Sequence, residues 1–440
     1  MFTRLRNLFE RLRSSLWVVP GMLTLGAFLL AQIAIFTDGW TQKEGIKIPF
    51  LFPGGLAGAR QILGALVTAM VSLTTISFSV MMVVLTLASN QFGPRVLRNF
   101  LTDRVNQTAL GVFVATFVYA LVVLSRLPDS GDNGFQTPRL AVTLAVVLTL
   151  GSLATLIYFI HHVARSIQAS DIVLRAHQEL QRSINVIYPE SVGQPSRKPA
   201  STAEATPPRP AGHRQTITAD RVGYVQAIAA DEVMTYAVEH DALVEFKVQP
   251  GQFIGCGDPI AEVDLPSGES DDDLPKRGRT WLVIGTERTG EQDVQYGFRQ
   301  LTEIAVRALS PGINDPTTAV SCIDYIGENL RELSGRDIPS PERADDEGRL
   351  RVIAPRDSFT HTAGIVFRNL RCYARGHPEV MSRLVDALGA LAPCLREKRG
   401  RAWYLETLVS LMAEAKHLGA EEDQIRLREK CESTRDLLPA

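Results

Sequence analysis

The chain has 440 residues, with 46 Lys and Arg against 48 Asp and Glu, which gives a formal net charge of −2. Residues 1–189 hold fifteen basic and eight acidic side chains, whereas the remainder holds thirty-one and forty. A nucleic-acid binder needs a concentrated basic footprint on its folded domain, so this distribution excludes that class. All five cysteines lie in the acidic half, widely spaced and without a CxxC pair, which excludes a disulfide framework.

Four apolar runs in the first half are long enough to cross a bilayer, which takes about 20 helical residues. They are Leu16–Phe36, Gln61–Ser89, Thr108–Leu124 and Leu140–Val163. The first run is too long for the apolar region of a signal peptide and is followed by three more, so we expect it to be retained. The sequence therefore predicts a four-helix transmembrane domain over residues 16–164.

The orientation of these spans follows from the basic residues near their ends, because cytoplasmic loops are enriched in Lys and Arg. Ten such residues flank one side of the predicted spans and five flank the other. This bias predicts a multi-pass protein of the bacterial inner membrane with both termini in the cytoplasm.

Residues 1–15 carry apolar side chains at alternating intervals of three and four, with arginines on the other faces. This pattern predicts an amphipathic helix at the inner membrane surface, in contact with lipid. A basic topology signal with fortuitous spacing is the alternative.

The second span is unusually long, because its 29 residues correspond to about 43 Å of helix against a hydrocarbon core of about 30 Å. Polar side chains recur along it on one face and define what we call the hydroxyl stripe: Thr68, Ser72, Thr75, Ser79, Thr86 and Asn90. Such a stripe lines a pore if several copies of the chain assemble around it. Arg95, Arg98 and Arg104 would then lie at the cytoplasmic mouth.

A packing role explains the same stripe without a pore. Small and hydroxyl-bearing residues favour close contact between membrane helices, and each hydroxyl can bond to a carbonyl one turn back. Thr74 and Ser77 also lie off the stripe, which weakens the argument for a single polar face. Both interpretations stay open at this stage.

The second half of the chain is predicted to contain four segments: a helical extension (165–189), a Pro-rich linker (190–215), a small β-rich unit (216–290) and a helical domain (291–440). Two glycine turns bracket Phe253–Ile254, which is typical of a compact β unit. Asp315 and Pro316 have the residue types of an N-cap and a first helical turn. The fold class predicted is an α-helical membrane protein with a cytosolic α+β domain, made of a small β unit and a helical bundle.

The sequence lacks the common catalytic, nucleotide-binding and metal-binding motifs. It contains no GxSxG, no GxxxxGK[ST] and no HExxH, so we expect neither an enzyme nor a cofactor or metal site. One polar cluster would form a ligand pocket if its two segments meet: Glu287, Arg288, Asp293, Asn314 and Asp315. Arg288 would hold an anion there, whereas an ion-pair network between helix ends is the alternative.

Three stretches resemble a bacterial family of predicted membrane proteins, the domain of unknown function 2254. They are Thr75–Asn99, Arg288–Phe298 and Arg299–Ala319. The resemblance implies an inner-membrane protein with a cytosolic C-terminal portion, and it implies no catalytic residues. We therefore consider two functions. One is a homo-oligomeric ion channel with a cytosolic regulatory domain, and the other is a membrane-anchored binding or scaffold module without transport.

Overall fold

A computed structural model describes residues 17–44, 51–92, 103–128, 137–188, 213–266, 271–336, 340–395 and 398–438. The chain divides into two compact units, Met1–Ile172 and Val173–Ala440. The predicted amphipathic helix (1–15), Arg95, Arg98 and most of the predicted linker lie outside the described residues.

The N-terminal unit contains four long helices: α1 (Val18–Lys43), α2 (Leu56–Phe92), α3 (Arg104–Ser125) and α4 (Arg139–Ser166). All four are long and apolar enough to cross a membrane, which confirms the four predicted spans as helices. Each helix extends past its apolar run, because polar residues at the ends continue the backbone hydrogen bonding. Helix α2 has 37 residues and is about 55 Å long.

Helix α3 is the most buried of the four helices and packs against each of the other three. Gly111 allows the closest approach: a Cβ there would stand 3.0 Å from the Pro20 backbone of α1 and 2.7 Å from the side chain of Leu23. On its other side, the buried hydroxyls of Thr116 and Ser152 lie 2.9 Å apart and join α3 to α4. Small and hydroxyl-bearing residues therefore set the spacing of these helices.

Two polar contacts fix the ends of the helices at positions far apart in sequence. The Asp38 carboxylate accepts hydrogen bonds from the backbone N–H groups of Leu140 (2.9 Å) and Ala141 (2.8 Å), at the N-terminus of α4. Arg60 of α2 donates to the carbonyls of Leu127 and Pro128 just after α3. Unpaired backbone groups at helix ends are satisfied in this way by side chains of neighbouring helices.

The remaining helices are α5 (Ala169–Ile187), α6 (Ala230–Glu239), α7 (Leu274–Arg279), α8 (Val294–Ala308), α9 (Pro316–Ser334), α10 (Phe359–Tyr373), α11 (Pro378–Gly389), α12 (Lys398–Glu414) and α13 (Glu421–Arg435). The strands are β1 (Arg214–Thr218), β2 (Gly223–Ile228), β3 (Leu243–Phe246), β4 (Phe253–Ile254), β5 (Pro259–Asp264), β6 (Leu282–Gly285), β7 (Glu342–Ala344) and β8 (Leu350–Ile353). Aspartates cap two of these helices: Asp293 accepts from the Tyr296 N–H, and Asp315 accepts from the Thr318 N–H. The predicted start of a helix at Asp315 and Pro316 is confirmed.

The strands form a five-stranded sheet of order β1-β5-β3-β8-β7 and a three-stranded sheet of order β4-β2-β6. All pairs are antiparallel except β3 with β8. Their common core contains the buried rings of Tyr236, Phe246 and Trp281. Gly251 and Gly257, both with positive φ, make the two turns around β4, as their positions in the sequence predict.

Two predicted boundaries in this unit are wrong. The β-rich unit does not end at residue 290, because β8 at Leu350–Ile353 pairs with β3 in the same sheet. The linker does not reach residue 215, because β1 begins at Arg214 and pairs with Asp264 of β5. Both strands are short, and β1 is largely polar, so they lack the long apolar alternation by which strands are found in a sequence. Pairing with distant strands holds them in place.

Candidate functional site

The hydroxyl stripe lies on the face of α2 that the protomer leaves open. All six side chains of the stripe are exposed. The buried face of the helix comprises Ala59, Leu63, Met70, Ser77, Met81, Val84, Ala88 and Phe92. At about 100° per residue, the centres of the stripe and of the buried face are about 170° apart around the helix axis. Among the described residues, the stripe therefore points away from the face by which α2 packs in the N-terminal unit.

Hydroxyls of the stripe donate to carbonyl oxygens one turn back in the same helix. Thr68 bonds to Gly64, Ser72 to Thr68, Thr75 to Val71 and Thr86 to Met82, at 2.9–3.1 Å. Thr74 and Ser77, which lie off the stripe, make the same contact with Met70 and Leu73. Such bonds satisfy the hydroxyl protons and leave oxygen lone pairs facing outward, toward whatever covers the helix.

Arg104 is exposed at the first residue of α3, next to the N-cap Asp103. The Asp103 carboxylate accepts from the Val105 N–H at 2.8 Å, and its other oxygen lies 2.9 Å from Nε2 of His162 in α4. The ring of His162 stacks on that of Tyr158 one turn earlier. The start of α3 and the end of α4 are thus joined by a carboxylate–imidazole contact.

The predicted polar cluster is only partly assembled. Arg288 donates from Nε (2.9 Å) and Nη2 (2.6 Å) to one oxygen of Asp293, and both side chains are largely buried. Burial raises the pKa of the Asp293 carboxyl, and the positive charge of Arg288 offsets part of that rise. Gly251 lies against this ion pair, since a Cβ at that position would stand 2.2 Å from Asp293 Oδ2.

The other members of the cluster serve local structure. The Asp315 carboxylate accepts from the Thr318 N–H at 3.0 Å and from its hydroxyl at 2.5 Å, within its own helix. Asn314 adopts a left-handed backbone conformation just before that helix (φ 48°). The exposed Glu287 provides its backbone carbonyl to the Gln226 amide at 2.8 Å. The structure thus joins Arg288 to Asp293, whereas Asp315 is engaged with Thr318.

Asp293 also lines a cavity of about 420 Å³ inside the C-terminal unit, which we call the sheet–helix cavity. Its walls come from the end of α5, the starts of α6 and α8, strand β8 and the segment before α10. Apolar walls are provided by Val233, Met234, Phe246, Val352 and Phe359, and polar walls by Tyr188, Asp231, Gln249, Glu291, Gln292, Gln295, Arg343, Arg356 and Asp357. Ligand pockets in proteins have this size and this mixture of surfaces.

Asp357 organises one wall of the sheet–helix cavity. It accepts from the Gln295 amide at 2.6 Å and from the Gln249 amide at 3.2 Å. The nearby Tyr188 is buried, with the guanidinium of Arg356 over its ring at 6.0 Å from the centroid. Burial raises the pKa of the Tyr188 hydroxyl, and the charge of Arg356 opposes that rise. Sequence reasoning missed Tyr188, Arg343 and Arg356, because no motif marks residues that meet only through the sheet.

Comparison with known proteins gives the family. A family model described as a predicted membrane protein, DUF2254, matches residues 13–390. The chain belongs to the DUF2254 family. It is 29% identical to uncharacterised proteins from two strains of Mycobacterium tuberculosis and from Mycobacterium bovis, over 96% of this chain and 81% of each relative. No solved structure matches the chain.

The DUF2254 match contains both the hydroxyl stripe and the whole sheet–helix cavity, whereas α12 and α13 follow it. The family is described as predicted membrane proteins, and the three mycobacterial relatives are described as uncharacterised. Among the residues that the structure describes, no group of three or more His, Cys, Asp or Glu side chains could hold a metal ion. The stripe and the cavity are the two features on which a function can be argued.

Proposed function

We propose that this DUF2254 protein forms a homo-oligomeric ion channel in the bacterial inner membrane, with both termini in the cytoplasm. In this proposal the hydroxyl stripe of α2 lines the path, and the C-terminal unit is a cytosolic regulatory domain. The observation that supports it is the position of the stripe, about half a turn away from the face that packs within the protomer.

The length of the stripe supports the same proposal. The 23 residues from Thr68 to Asn90 span about 33 Å of helix, which is close to the thickness of the hydrocarbon core. In a lone protomer this polar line would face lipid along its entire length. Ser, Thr and Asn side chains in membrane helices favour contact with protein or with a water-filled cavity over contact with lipid. Further copies of the chain, arranged around the stripe, would provide such a cavity.

A membrane-anchored binding module is the second candidate, and the sheet–helix cavity favours it. A cavity of about 420 Å³ with apolar and charged walls is of a size to hold a small molecule. In this alternative the four helices only anchor the chain, and the stripe packs against lipid or against another protein with its hydroxyl protons satisfied internally.

Cysteine accessibility distinguishes the two candidates. Ser79→Cys places a thiol on the stripe, and Ser77→Cys places one on the packed face two residues away, where the serine is fully buried. The background carries Cys256→Ser and Cys372→Ser, which remove the two exposed native thiols. A cationic, membrane-impermeant methanethiosulfonate should modify Ser79→Cys at least ten times faster than Ser77→Cys in reconstituted vesicles, and should reduce an ion conductance measured in planar bilayers.

The channel proposal fails if the two cysteine variants react equally slowly and the purified protein passes no current at any voltage or salt concentration tested. The anchored binding module would then be the better account. A conductance that Ser79→Cys modification leaves unchanged would remove α2 from the path and contradict the proposal as well.

A further inference from the structure

We propose that the sheet–helix cavity binds a soluble phosphomonoester with an aromatic or apolar body, and that Arg343 and Arg356 hold its phosphate. This inference goes beyond the proposed channel and holds whether or not α2 lines a path. It rests on the charges, the walls and the size of the cavity.

Asp293 and Asp357, two of the carboxylates that line the cavity, have hydrogen-bonding partners, whereas its two arginines form no ion pair with a carboxylate among the described residues. Asp293 is neutralised by Arg288, and Asp357 accepts hydrogen bonds from two glutamine amides. Arg343 donates to the backbone carbonyls of Ser340 and Glu342. Within the described part of the chain, neither Arg343 nor Arg356 forms an ion pair with a carboxylate.

The two guanidiniums also act on each other. Burial lowers the pKa of Arg343, and the positive charge of Arg356 lowers it further. Two like charges that line one cavity repel unless an anion lies between them. Guanidinium groups bind phosphate through paired N–H donors, so a phosphate group would relieve this repulsion and satisfy the remaining donors.

The other walls indicate the rest of the ligand. Tyr188 presents its ring beside Arg356, and Phe246 and Phe359 provide further apolar surface. An aromatic body would pack on these rings while its phosphate meets the arginines. Asp231 and Glu291 also line the cavity and would repel additional negative charge, which favours one phosphate over a polyphosphate chain. A cavity of about 420 Å³ is large enough for a molecule the size of a nucleoside monophosphate.

Calorimetric titration of the full chain, in nanodiscs of phosphatidylcholine, tests the proposal. The probes are AMP with adenosine as its uncharged counterpart, 1-naphthyl phosphate with 1-naphthol, and inorganic phosphate alone. We expect at least one of the two phosphomonoesters to bind at least ten times more tightly than both its uncharged counterpart and inorganic phosphate.

Arginine variants then locate the phosphate. Arg356→Gln should weaken binding of that phosphomonoester at least ten-fold, and Arg343→Gln should do the same. Arg349→Gln is the matched control, because Arg349 is exposed, pairs with Glu347 and does not line the cavity. Thermal unfolding of each variant shows that it is folded, and Arg356, which is exposed, is the substitution least able to disturb the fold.

Three results would overturn the proposal. They are no binding of either phosphomonoester, equal affinity for a phosphomonoester and its uncharged counterpart, and affinity that Arg356→Gln leaves unchanged in a folded protein. Because the readout is heat of binding, the result does not depend on conductance, and failure of the channel proposal would leave it intact.

Discussion

Asn329 donates a hydrogen bond from its side-chain amide to Nδ1 of His177 at 2.7 Å, and both side chains are buried in the C-terminal unit. The same amide nitrogen donates to the Tyr325 carbonyl, which fixes its orientation and leaves Nδ1 of the histidine as the acceptor. His177 is therefore neutral with its proton on Nε2. Protonation of Nδ1 would place two donors against each other.

Stability should fall with acidification because His177 is buried. Burial lowers the pKa of His177 below its ordinary value. The unfolded chain then binds a proton more readily than the folded chain. The contribution of His177 to the free energy of unfolding is therefore complete above about pH 6.5 and is lost as the pH falls below that value. We expect the melting temperature of the full chain to decrease between pH 7.5 and pH 5.5. His177→Gln should reduce that decrease.

His213→Gln is the control, because the side chain of His213 is exposed. Trp281 is buried and Trp403 also lies in the C-terminal unit, so unfolding of this unit contributes to the change in tryptophan fluorescence of the full chain. Equal pH dependence in the wild type and in His177→Gln would show that another group carries the effect.

Gly251 should tolerate no side chain. Gly251→Ala adds a Cβ at φ 88°, 2.2 Å from Asp293 Oδ2 and 2.7 Å from Arg288 Nη2. Gly257→Ala has a similar φ of 91°, but nothing lies within 4 Å of its Cβ. The left-handed conformation alone costs about 1–2 kcal/mol for alanine. Gly251→Ala should therefore lower the free energy of unfolding by clearly more than Gly257→Ala does. Equal losses in denaturant titrations would mean that the ion pair moves away freely.

The buried ion pair of Arg288 and Asp293 should show strong coupling. Arg288→Met removes the cation and leaves a buried carboxylate without its partner, which typically costs about 3–5 kcal/mol. Asp293→Asn removes the charge and keeps a residue type that caps helices well. The double variant Arg288→Met/Asp293→Asn should therefore be more stable than Arg288→Met alone. Additive losses in a double-mutant cycle would argue against this account.

Gly111 should be required where α1 crosses α3. Gly111→Ala places a Cβ 3.0 Å from backbone of Pro20, so the two helices must move apart. Gly64→Ala in α2 is the matched control, since nothing lies within 4 Å of its Cβ. Alanine favours a helix over glycine by about 1 kcal/mol, so the control should be neutral or stabilising. Thermal unfolding in detergent should show a lower melting temperature for Gly111→Ala only.

Local patterns predicted much of this protein. Hydropathy predicted four apolar helices. A run of about 20 apolar residues can cross a bilayer as a helix, because a helix satisfies its backbone hydrogen bonds internally. The cap at Asp315 and the turns at Gly251 and Gly257 were also predictable, because each depends on a residue type within a few positions. The step of three and four residues placed the hydroxyl stripe on one face of α2.

Local patterns did not predict the contacts between residues that are distant in sequence. Asp38 and Ala141 are 103 residues apart, and the pairing of β3 with β8 joins residues about as far apart. Arg343, Arg356 and Tyr188 line one cavity because that sheet brings β7 and β8 beside the end of α5. The sequence around a short strand or a single arginine does not identify its partner. The cavity could therefore not be predicted from the sequence and is found only in the tertiary structure.

The sequence by itself determined which segments are helices in the first half and which face of α2 is polar, because hydropathy and helical periodicity act over one or two turns. Only the tertiary structure decided that this polar face points away from the other three helices, and that two arginines line one cavity. Those outcomes depend on which side of each element is buried by its neighbours, and burial is a property of the packed chain.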